Sequence, residues 1–453
     1  MKDSTKILIT TYIPTLNKGM LGLLKGILKT FDALGQTEVT VFSFYPEFDG
    51  KRYPPNVKLI DVGKDLHIAT FFSKRSANFR LIASIAAAIQ HLLFALLYSI
   101  FKKKVFHFFK SPIWHEYYSS DALIVCTSED DCVNGSGTFL WLSPVYLSLL
   151  AKVLRKPVVV YANSTTKTGN LVWLWRLKSR RLWEILAKYS LNNCDLITVR
   201  DRETFRYYKN FLNEKQIFLT GDPGVLLDSA EPTQIESIMS KEKARANNGY
   251  LIGATITQRL LLHSFPECFD TREKYEKVIA EVAKVFDRIT TIYPSKIIFL
   301  PHCTGFLRNN DDRVVARDIV EKMHNKSHAT VINNEYTPEA LKGIISFCDF
   351  FIGDRIHALI SALSMNVPCC IFAYSSDRRP YNLIGQDFKQ EKWIFEFDTF
   401  NTSNLIKLLT ELISSSEEIR RNLPPIVESV KEKALLNGSL LRALLHSALA
   451  DSY

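Results

Sequence analysis

Residues 353–368 read Gly-Asp-Arg-Ile-His-Ala-Leu-Ile-Ser-Ala-Leu-Ser-Met-Asn-Val-Pro, and an apolar run stands on each side of them. The two runs, 350–352 and 369–373, predict a strand, a tight turn, a helix that a proline ends, and a second strand. The turn places Arg355 and His357 in the first turn of the helix. A helix start presents unpaired backbone N–H groups and a partial positive charge. With a guanidinium and an imidazole added, this stretch predicts a site for phosphate or carboxylate.

Strand-like and helix-like segments alternate along the rest of the chain, which is typical of parallel sheets with crossover helices. The predicted strands are Ile7–Thr10, Val39–Phe44, Val57–Val62, Ala122–Cys126, Pro157–Ala162, Leu196–Val199, Ile217–Leu219, Tyr250–Ile256, Lys296–Leu300, Thr330–Ile332, Phe350–Ile352 and Cys369–Ala373. We therefore predict an α/β protein with two Rossmann-like, doubly wound parallel-sheet domains that face a cleft.

The pattern is interrupted once, which sets the predicted domain boundaries. Residues 229–248 are polar, charged and poorly periodic, so we expect a linker there between domains at 1–228 and 249–430. Two domains of roughly 200 residues are also what 453 residues allow. We expect the apolar segment 431–453 to form a helix that packs back on the first domain.

Composition narrows the class of protein. Hydrophobic content is 47% and charged content 23%, as in ordinary globular proteins. The net charge of +10 suggests anionic partners, and the absence of a nucleic-acid-binding motif argues against DNA or RNA. The eight cysteines form no C-x-x-C pair, so we expect reduced core thiols and no metal site.

Residues 81–101 contain no charged side chain and are long enough to be considered as a membrane span. Gln90 and His91 at the centre, and strands of one sheet on both sides, argue against a span. Two interpretations stay open: a core helix, or a helix whose bulky stripe dips into lipid. The basic residues that bracket the stretch, and a second basic-aromatic patch at 173–183, are typical of contact with an anionic membrane.

Polar side chains follow several of the predicted strands. In parallel sheets, ligands bind at the carboxyl ends of strands, so these residues are candidates for a site. They are Asn17, Gly19, Arg200, Asp201, Asp222, His302, Arg355 and His357. A single Arg or Asp in such a place is usually a helix cap or a surface charge, but the recurrence of Arg and His favours a common anionic ligand.

Five motifs resemble the polysaccharide pyruvyl transferase family. They are NKG at 17–19, ITVRDRETF at 197–205, GDPGVLL at 221–227, FLPH at 299–302 and CDFFIGDRIHALISALSMNVPCCIFAY at 348–374. The resemblance implies a fold similar to the GT-B glycosyltransferases. It also implies an enzyme that transfers a pyruvyl group from phosphoenolpyruvate to a sugar diol, giving a cyclic ketal and phosphate, with no cofactor and no metal.

The resemblance implies roles for individual residues. Arg200 and Arg355 would bind the phosphate and carboxylate of phosphoenolpyruvate, one from each domain. His357 would be the general acid, since nearby phosphate oxygens favour its charged form. His302 would position the acceptor or act as a base. Asn17, Gly19 and Asp222 would contact substrate, although the family often has Asn-x-Gly-Asp where this chain has Met20.

The family comparison leaves a second function open, a GT-B glycosyltransferase that uses a nucleotide sugar. Such enzymes usually place an acid in the second domain for the ribose, whereas residues 356–365 contain none. A third interpretation is that the chain is a non-catalytic, membrane-associated partner in glycan assembly. We expect the pyruvyl transferase, acting on a cell-surface polysaccharide or its lipid-linked precursor, in the cytoplasm at the inner face of the cell membrane.

Overall fold

A computed structural model of the chain describes residues 4–61, 89–90, 92–101, 112–126, 150, 153–164, 185, 188–212, 215–246, 248–264, 270–306, 310–375 and 377–450. The described chain forms two compact units, and neither is continuous in sequence. Unit 1 comprises residues 1–13, 28–221 and 433–453, and unit 2 comprises residues 14–27 and 222–432.

The α-helices of the described residues are α1 Lys18–Thr30, α2 Pro46–Asp49, α3 Pro112–Ser119, α4 Arg202–Leu212, α5 Pro232–Lys241, α6 Gln258–His263, α7 Thr271–Ile292, α8 Asp312–Lys322, α9 Pro338–Ser346, α10 Ile356–Ser364, α11 Gln386–Phe388, α12 Thr402–Ser414 and α13 Ser416–Ala450. Residues 89–90 and 92–101 are also helical. Several of these helices begin where the sequence provides a cap, as at Asp270, whose carboxylate accepts from two N–H groups of α7.

Unit 1 contains a seven-stranded sheet in the order β3-β2-β1-β4-β5-β6-β7, with every pair parallel. Its strands are β1 Thr5–Ile9, β2 Thr37–Ser43, β3 Val57–Asp61, β4 Ala122–Cys126, β5 Val158–Asn163, β6 Leu196–Val199 and β7 Phe218–Leu219. β4 and β5 are buried along their whole length, because both faces of a parallel sheet are covered. All seven correspond to predicted strands.

Unit 2 contains a six-stranded parallel sheet in the order β10-β9-β8-β11-β12-β13. Its strands are β8 Tyr250–Thr255, β9 Ser295–Phe299, β10 Ala329–Val331, β11 Phe350–Gly353, β12 Cys369–Ala373 and β13 Ile394–Glu396. The strand order reverses between β8 and β11, which makes the carboxyl ends of the neighbouring strands the natural place for a ligand. The quoted stretch forms β11, α10 and β12 in the predicted order.

The structure differs from the linker expected at 229–248. This segment contains the ten-residue helix α5, which begins with Pro232 at its first position and belongs to unit 2. Ile235, Ile238 and Met239 are buried, at the spacing of one helix face. Three apolar positions among polar ones were too weak a pattern to indicate a helix. The structure also places residues 14–27 with unit 2 instead of with the first predicted domain.

The segment expected as a helix at 431–453 belongs to a longer helix, α13, which begins at Ser416. Its residues from Lys433 onward are part of unit 1. There Asn437 is completely buried. Its Oδ1 accepts hydrogen bonds from the hydroxyls of Thr198 (2.7 Å) and Thr220 (3.0 Å), and its Nδ2 donates to the carbonyl of Gly221 at 3.2 Å. One buried amide thus joins this helix to the carboxyl end of β6.

No helix among the described residues is long and apolar enough to cross a membrane. Residues 81–88 and 91 of the apolar stretch lie outside the described part of the chain, as do the basic residues that bracket it and the patch at 173–183.

Candidate active site

The loop that carries the NKG motif is tied to the end of β9. The backbone N–H of Lys18 donates to the carbonyl of His302 at 2.7 Å, and the N–H of Thr304 donates to the carbonyl of Leu16 at 3.1 Å. Asn17 and Cys303 form an antiparallel bridge. These contacts fix the start of α1 beside the carboxyl edge of the unit 2 sheet. Asn17 itself caps α1, since its Oδ1 accepts from the N–H of Met20 at 3.2 Å.

Arg355 lies directly after β11 and is held by a buried carboxylate. Its Nη2 and Nε donate to the two oxygens of Asp312, at 2.5 and 3.2 Å. Oδ2 of Asp312 also accepts from the backbone N–H groups of His302 (3.0 Å) and Cys303 (2.9 Å). Burial works to lower the pKa of Arg355, but the charge and hydrogen bonds of Asp312 outweigh it and raise that pKa above its usual range. The guanidinium is thus charged and fixed in orientation, and its Nη1 takes no part in the pair.

His302 is buried, with 5% of its surface exposed, at the end of β9. Its Nδ1 lies 3.1 Å from the carbonyl oxygen of Leu300. A carbonyl only accepts, so Nδ1 carries the hydrogen and Nε2 carries the lone pair. Burial, with the charge of Arg355 in support, lowers the pKa of His302 to about 4. The imidazole is therefore neutral near pH 7, and this suits an acceptor of a proton better than a donor.

His357 occupies a niche that two glycines make. A Cβ on Gly19 would lie 3.0 Å from Nδ1 of the imidazole, and a Cβ on Gly224 would lie 3.1 Å from its Cδ2. Both distances are shorter than ordinary side-chain contacts, so any larger residue would have to push the ring. The NKG and GDPG motifs thus supply the space for one side chain, which explains why a glycine stands in each.

Asp222 gives the niche its charge. Its Oδ1 accepts from the N–H of Gly224 at 2.8 Å and caps a short 3₁₀ turn at Pro223–Leu226. Its Oδ2 lies 3.7 Å from Nε2 of His357. A carboxylate therefore lies beside the imidazole of His357, whereas the Nδ1 of His302 faces a backbone carbonyl.

A small cleft of unit 2 joins these groups. Its polar lining is formed by Lys18, His302, His357 and Ser361, with Gly19 and Gly224 beside them. The ammonium of Lys18 is almost buried and contacts Glu335 at 2.5 Å, while its Nζ also donates to the carbonyl of Thr15 at 3.0 Å. An ammonium, two imidazoles and a hydroxyl therefore line this small cleft, together with the apolar side chains of Leu23, Leu227 and Pro338.

A second buried carboxylate, Asp354, lies between the end of β11 and the start of α6. It accepts from the backbone N–H of Thr257 at 3.2 Å and from the hydroxyl of the same residue. Burial raises its pKa to about 6, although the charge of Arg355 opposes the shift.

Arg200 lies in unit 1, directly after β6, and only 2% of its surface is exposed. Its backbone N–H donates to the carbonyl of Asn163 at 3.0 Å. The neighbouring Asp201 caps α4 by accepting from the N–H and hydroxyl of Thr204, at 2.8 and 2.7 Å. Burial raises the pKa of Asp201. The convergence of Arg200 and Arg355 on one ligand stays a prediction.

Of the candidate residues, the structure brings five together in unit 2: Asn17, Gly19, Asp222, His302 and His357, with Arg355 reached through Asp312. Sequence reasoning missed Asp312 and Lys18. Asp312 follows another aspartate at a helix start, where a carboxylate usually indicates a cap. Lys18 stands inside the NKG motif, and that position was the only signal for it. Within the described ranges, no group of three or more His, Cys, Asp or Glu side chains is arranged to hold a metal ion.

The model of the polysaccharide pyruvyl transferase family matches residues 17–376. No curated protein sequence is significantly similar to the chain. Among solved structures, the UDP-GlcNAc 2-epimerase from Neisseria meningitidis, bound to UDP-GlcNAc, is similar with a TM-score of 0.55 and 13% identity, over 98% of this chain and 100% of that one. An α,α-trehalose-phosphate synthase (UDP-forming) from Burkholderia vietnamiensis is similar with a TM-score of 0.55 and 9% identity, over 99% and 100%. These likenesses establish the GT-B-like fold, with two parallel-sheet α/β domains.

Proposed function

Because the chain belongs to the polysaccharide pyruvyl transferase family, we propose that it moves a pyruvyl group from phosphoenolpyruvate onto two hydroxyls of one sugar and releases phosphate. The acceptor sugar belongs to a cell-surface polysaccharide or to its lipid-linked precursor. The product is a cyclic ketal.

The observation that carries this proposal is the contrast between two imidazoles in one cleft. His357 lies 3.7 Å from the carboxylate of Asp222, whereas His302 is buried and its pKa is lowered to about 4. We assign the proton donor to His357, beside the carboxylate, and the proton acceptor to His302. Ketal formation on an enol phosphate requires one of each.

His357 donates its proton to the methylene carbon of phosphoenolpyruvate, which becomes a methyl group. The central carbon gains positive charge, and a sugar hydroxyl attacks it while Nε2 of His302 accepts the hydroxyl proton. The bond between the central carbon and the phosphate oxygen then breaks, and the second hydroxyl closes the ring. The proton held by His302 passes to the departing phosphate, and the proton of the second hydroxyl returns to His357.

Arg355 binds an anionic group of the donor. Its two hydrogen bonds to Asp312 fix the plane of the guanidinium, so that it meets the ligand without first being ordered. Cationic hydrogen-bond donors of this kind can balance the charge of a leaving phosphate. Arg200 is the second guanidinium that we assign to the donor, from its position in the family motif at 197–205.

The test measures inorganic phosphate released from phosphoenolpyruvate in the presence of free or lipid-linked sugars. We expect His357→Gln to lower the rate at least about 100-fold, the usual contribution of a general acid. His324→Gln is the matched control, since His324 is an exposed histidine of the same unit. If His357→Gln retains the full rate with a fold unchanged by circular dichroism, the assignment of the acid is wrong.

The glycosyltransferase alternative predicts a different ligand. A nucleotide-sugar enzyme should gain thermal stability from UDP or GDP, whereas the proposed enzyme should gain it from phosphoenolpyruvate. The only carboxylate at the end of β11, Asp354, is already bonded to Thr257. This leaves it poorly placed to bind ribose hydroxyls.

A further inference from the structure

The helix at residues 92–101 turns its bulky apolar side chains to solvent. Leu93, Leu96 and Ile100 are 54, 51 and 69% exposed, and the preceding Ile89 is 53% exposed. These four positions follow the spacing of one helix face. Phe101 extends the same surface with 54% exposure. We call these five side chains the apolar stripe.

The opposite face of this helix is packed, so the rotation of the helix is fixed. Ala95 is completely buried, and Leu92, Phe94 and Tyr98 pack against the core of unit 1. The rings of Phe94 and Trp114 lie 6.0 Å apart, edge to face. A helix that served only the core would bury its leucines and isoleucines and expose its alanine. Here the arrangement is reversed, which indicates that the apolar stripe has an external partner.

The charge of the surrounding sequence indicates what kind of partner binds the apolar stripe. Residues 66–115 contain seven Lys and Arg side chains and no Asp or Glu, so this stretch carries +7 of the net +10 of the whole chain. Lys102, Lys103 and Lys104 follow Phe101 directly. Three cationic positions therefore adjoin the apolar stripe in the sequence, which favours an anionic partner.

We propose that the apolar stripe docks on the surface of an anionic lipid bilayer. The described helical residues 92–101 span about 15 Å, half the thickness of a bilayer core, and pack on unit 1 with their other face, so we assign them to the interface. Apolar side chains enter the boundary between headgroups and acyl chains, and the neighbouring lysines bind the headgroups. A second copy of the chain fits less well, because it would bring two strongly basic stretches together.

The test is flotation of the full chain with vesicles of phosphatidylcholine that contain about 30% phosphatidylglycerol. We expect binding to these vesicles, little binding to pure phosphatidylcholine, and weakening at high salt. The double variant Leu93→Gln, Leu96→Gln should bind at least about tenfold more weakly, since it removes the centre of the stripe. Both side chains are exposed, so its melting temperature should equal that of the unmodified chain.

The matched control is Leu435→Gln, Leu436→Gln, which changes two leucines of unit 1 that are 46 and 41% exposed on another helix. It should bind the vesicles normally. The proposal is wrong if the unmodified chain does not bind anionic vesicles, or if the stripe variant binds as well as the control. Light scattering that shows a dimer which only the stripe variant disrupts, without vesicle binding, would assign the stripe to a second copy. Flotation needs neither phosphoenolpyruvate nor turnover, so its result is independent of the proposed reaction.

Discussion

Replacing His302 with glutamine should change how the stability of the protein depends on pH. The pKa of His302 is about 4 in the folded chain, against 6.5 for an ordinary histidine. Between pH 6.5 and pH 4 the histidine binds a proton in the unfolded chain but not in the folded chain. The free energy of unfolding therefore falls as the pH falls. The difference corresponds to about 3 kcal/mol of unfolding free energy. His302→Gln removes this loss, so its stability relative to the unmodified chain should rise by that amount between pH 7 and pH 4.

Asp354 should change the pH dependence of stability in the direction opposite to His302. Its pKa is about 6 in the folded chain and 3.8 ordinarily, so here the folded state binds the additional proton. Its contribution to stability therefore grows as the pH falls through this window, again by about 3 kcal/mol. Asp354→Asn should become less stable than the unmodified chain as the solution is acidified. In the unmodified chain the two effects oppose each other and largely cancel.

The assay is equilibrium urea unfolding, followed by circular dichroism at a series of pH values from 4 to 7.5. The quantity to plot is the unfolding free energy of each variant minus that of the unmodified chain. The two plots should slope in opposite directions, and exposed His324→Gln serves as the matched control. Two flat plots, or two with the same slope, would refute the assignment of a neutral buried His302 and a protonatable Asp354.

Three further changes test the site and the fold. Gly19→Ala should push the imidazole of His357 by a few tenths of an ångström and lower phosphate release at least about tenfold, with an unchanged melting temperature. Arg355→Lys loses the two-point contact with Asp312, so we expect a raised KM for phosphoenolpyruvate in steady-state kinetics. Asn437→Ala leaves buried groups of unit 1 without their amide partner and should lower the unfolding free energy by about 2 kcal/mol in urea titrations.

Much of the architecture could be predicted, because parallel strands that are buried on both faces appear in the sequence as short apolar runs. All seven strands of unit 1 and five of the six in unit 2 follow from such runs. The exception, β13, has only three residues, one of them Glu396, at the edge of its sheet. Two apolar residues next to a charged one, without the β-branched run present at Thr330–Ile332, did not indicate a strand.

The site was predictable as a set of residue types at strand ends but not as a geometry. Nothing local indicates that Gly19 and Gly224 face the same imidazole, because these residues meet only through the tertiary fold. The role of Asp312 was hidden for the same reason, since its partner Arg355 lies 43 residues further along the chain. The rotation of the helix at 92–101 was also undecidable, because both of its stripes are apolar enough to be buried.

The division of unit 1 into three segments has a consequence for biosynthesis. The ribosome makes residues 433–453 only after all of residues 222–432. The two earlier segments of unit 1 are therefore synthesised long before the segment that completes this unit. Domains of most proteins mature in the order in which they are translated. Here Asn437, whose amide bonds to Thr198 at the end of β6, lies 239 positions after it, so the nascent first unit lacks this contact until its last segment is made.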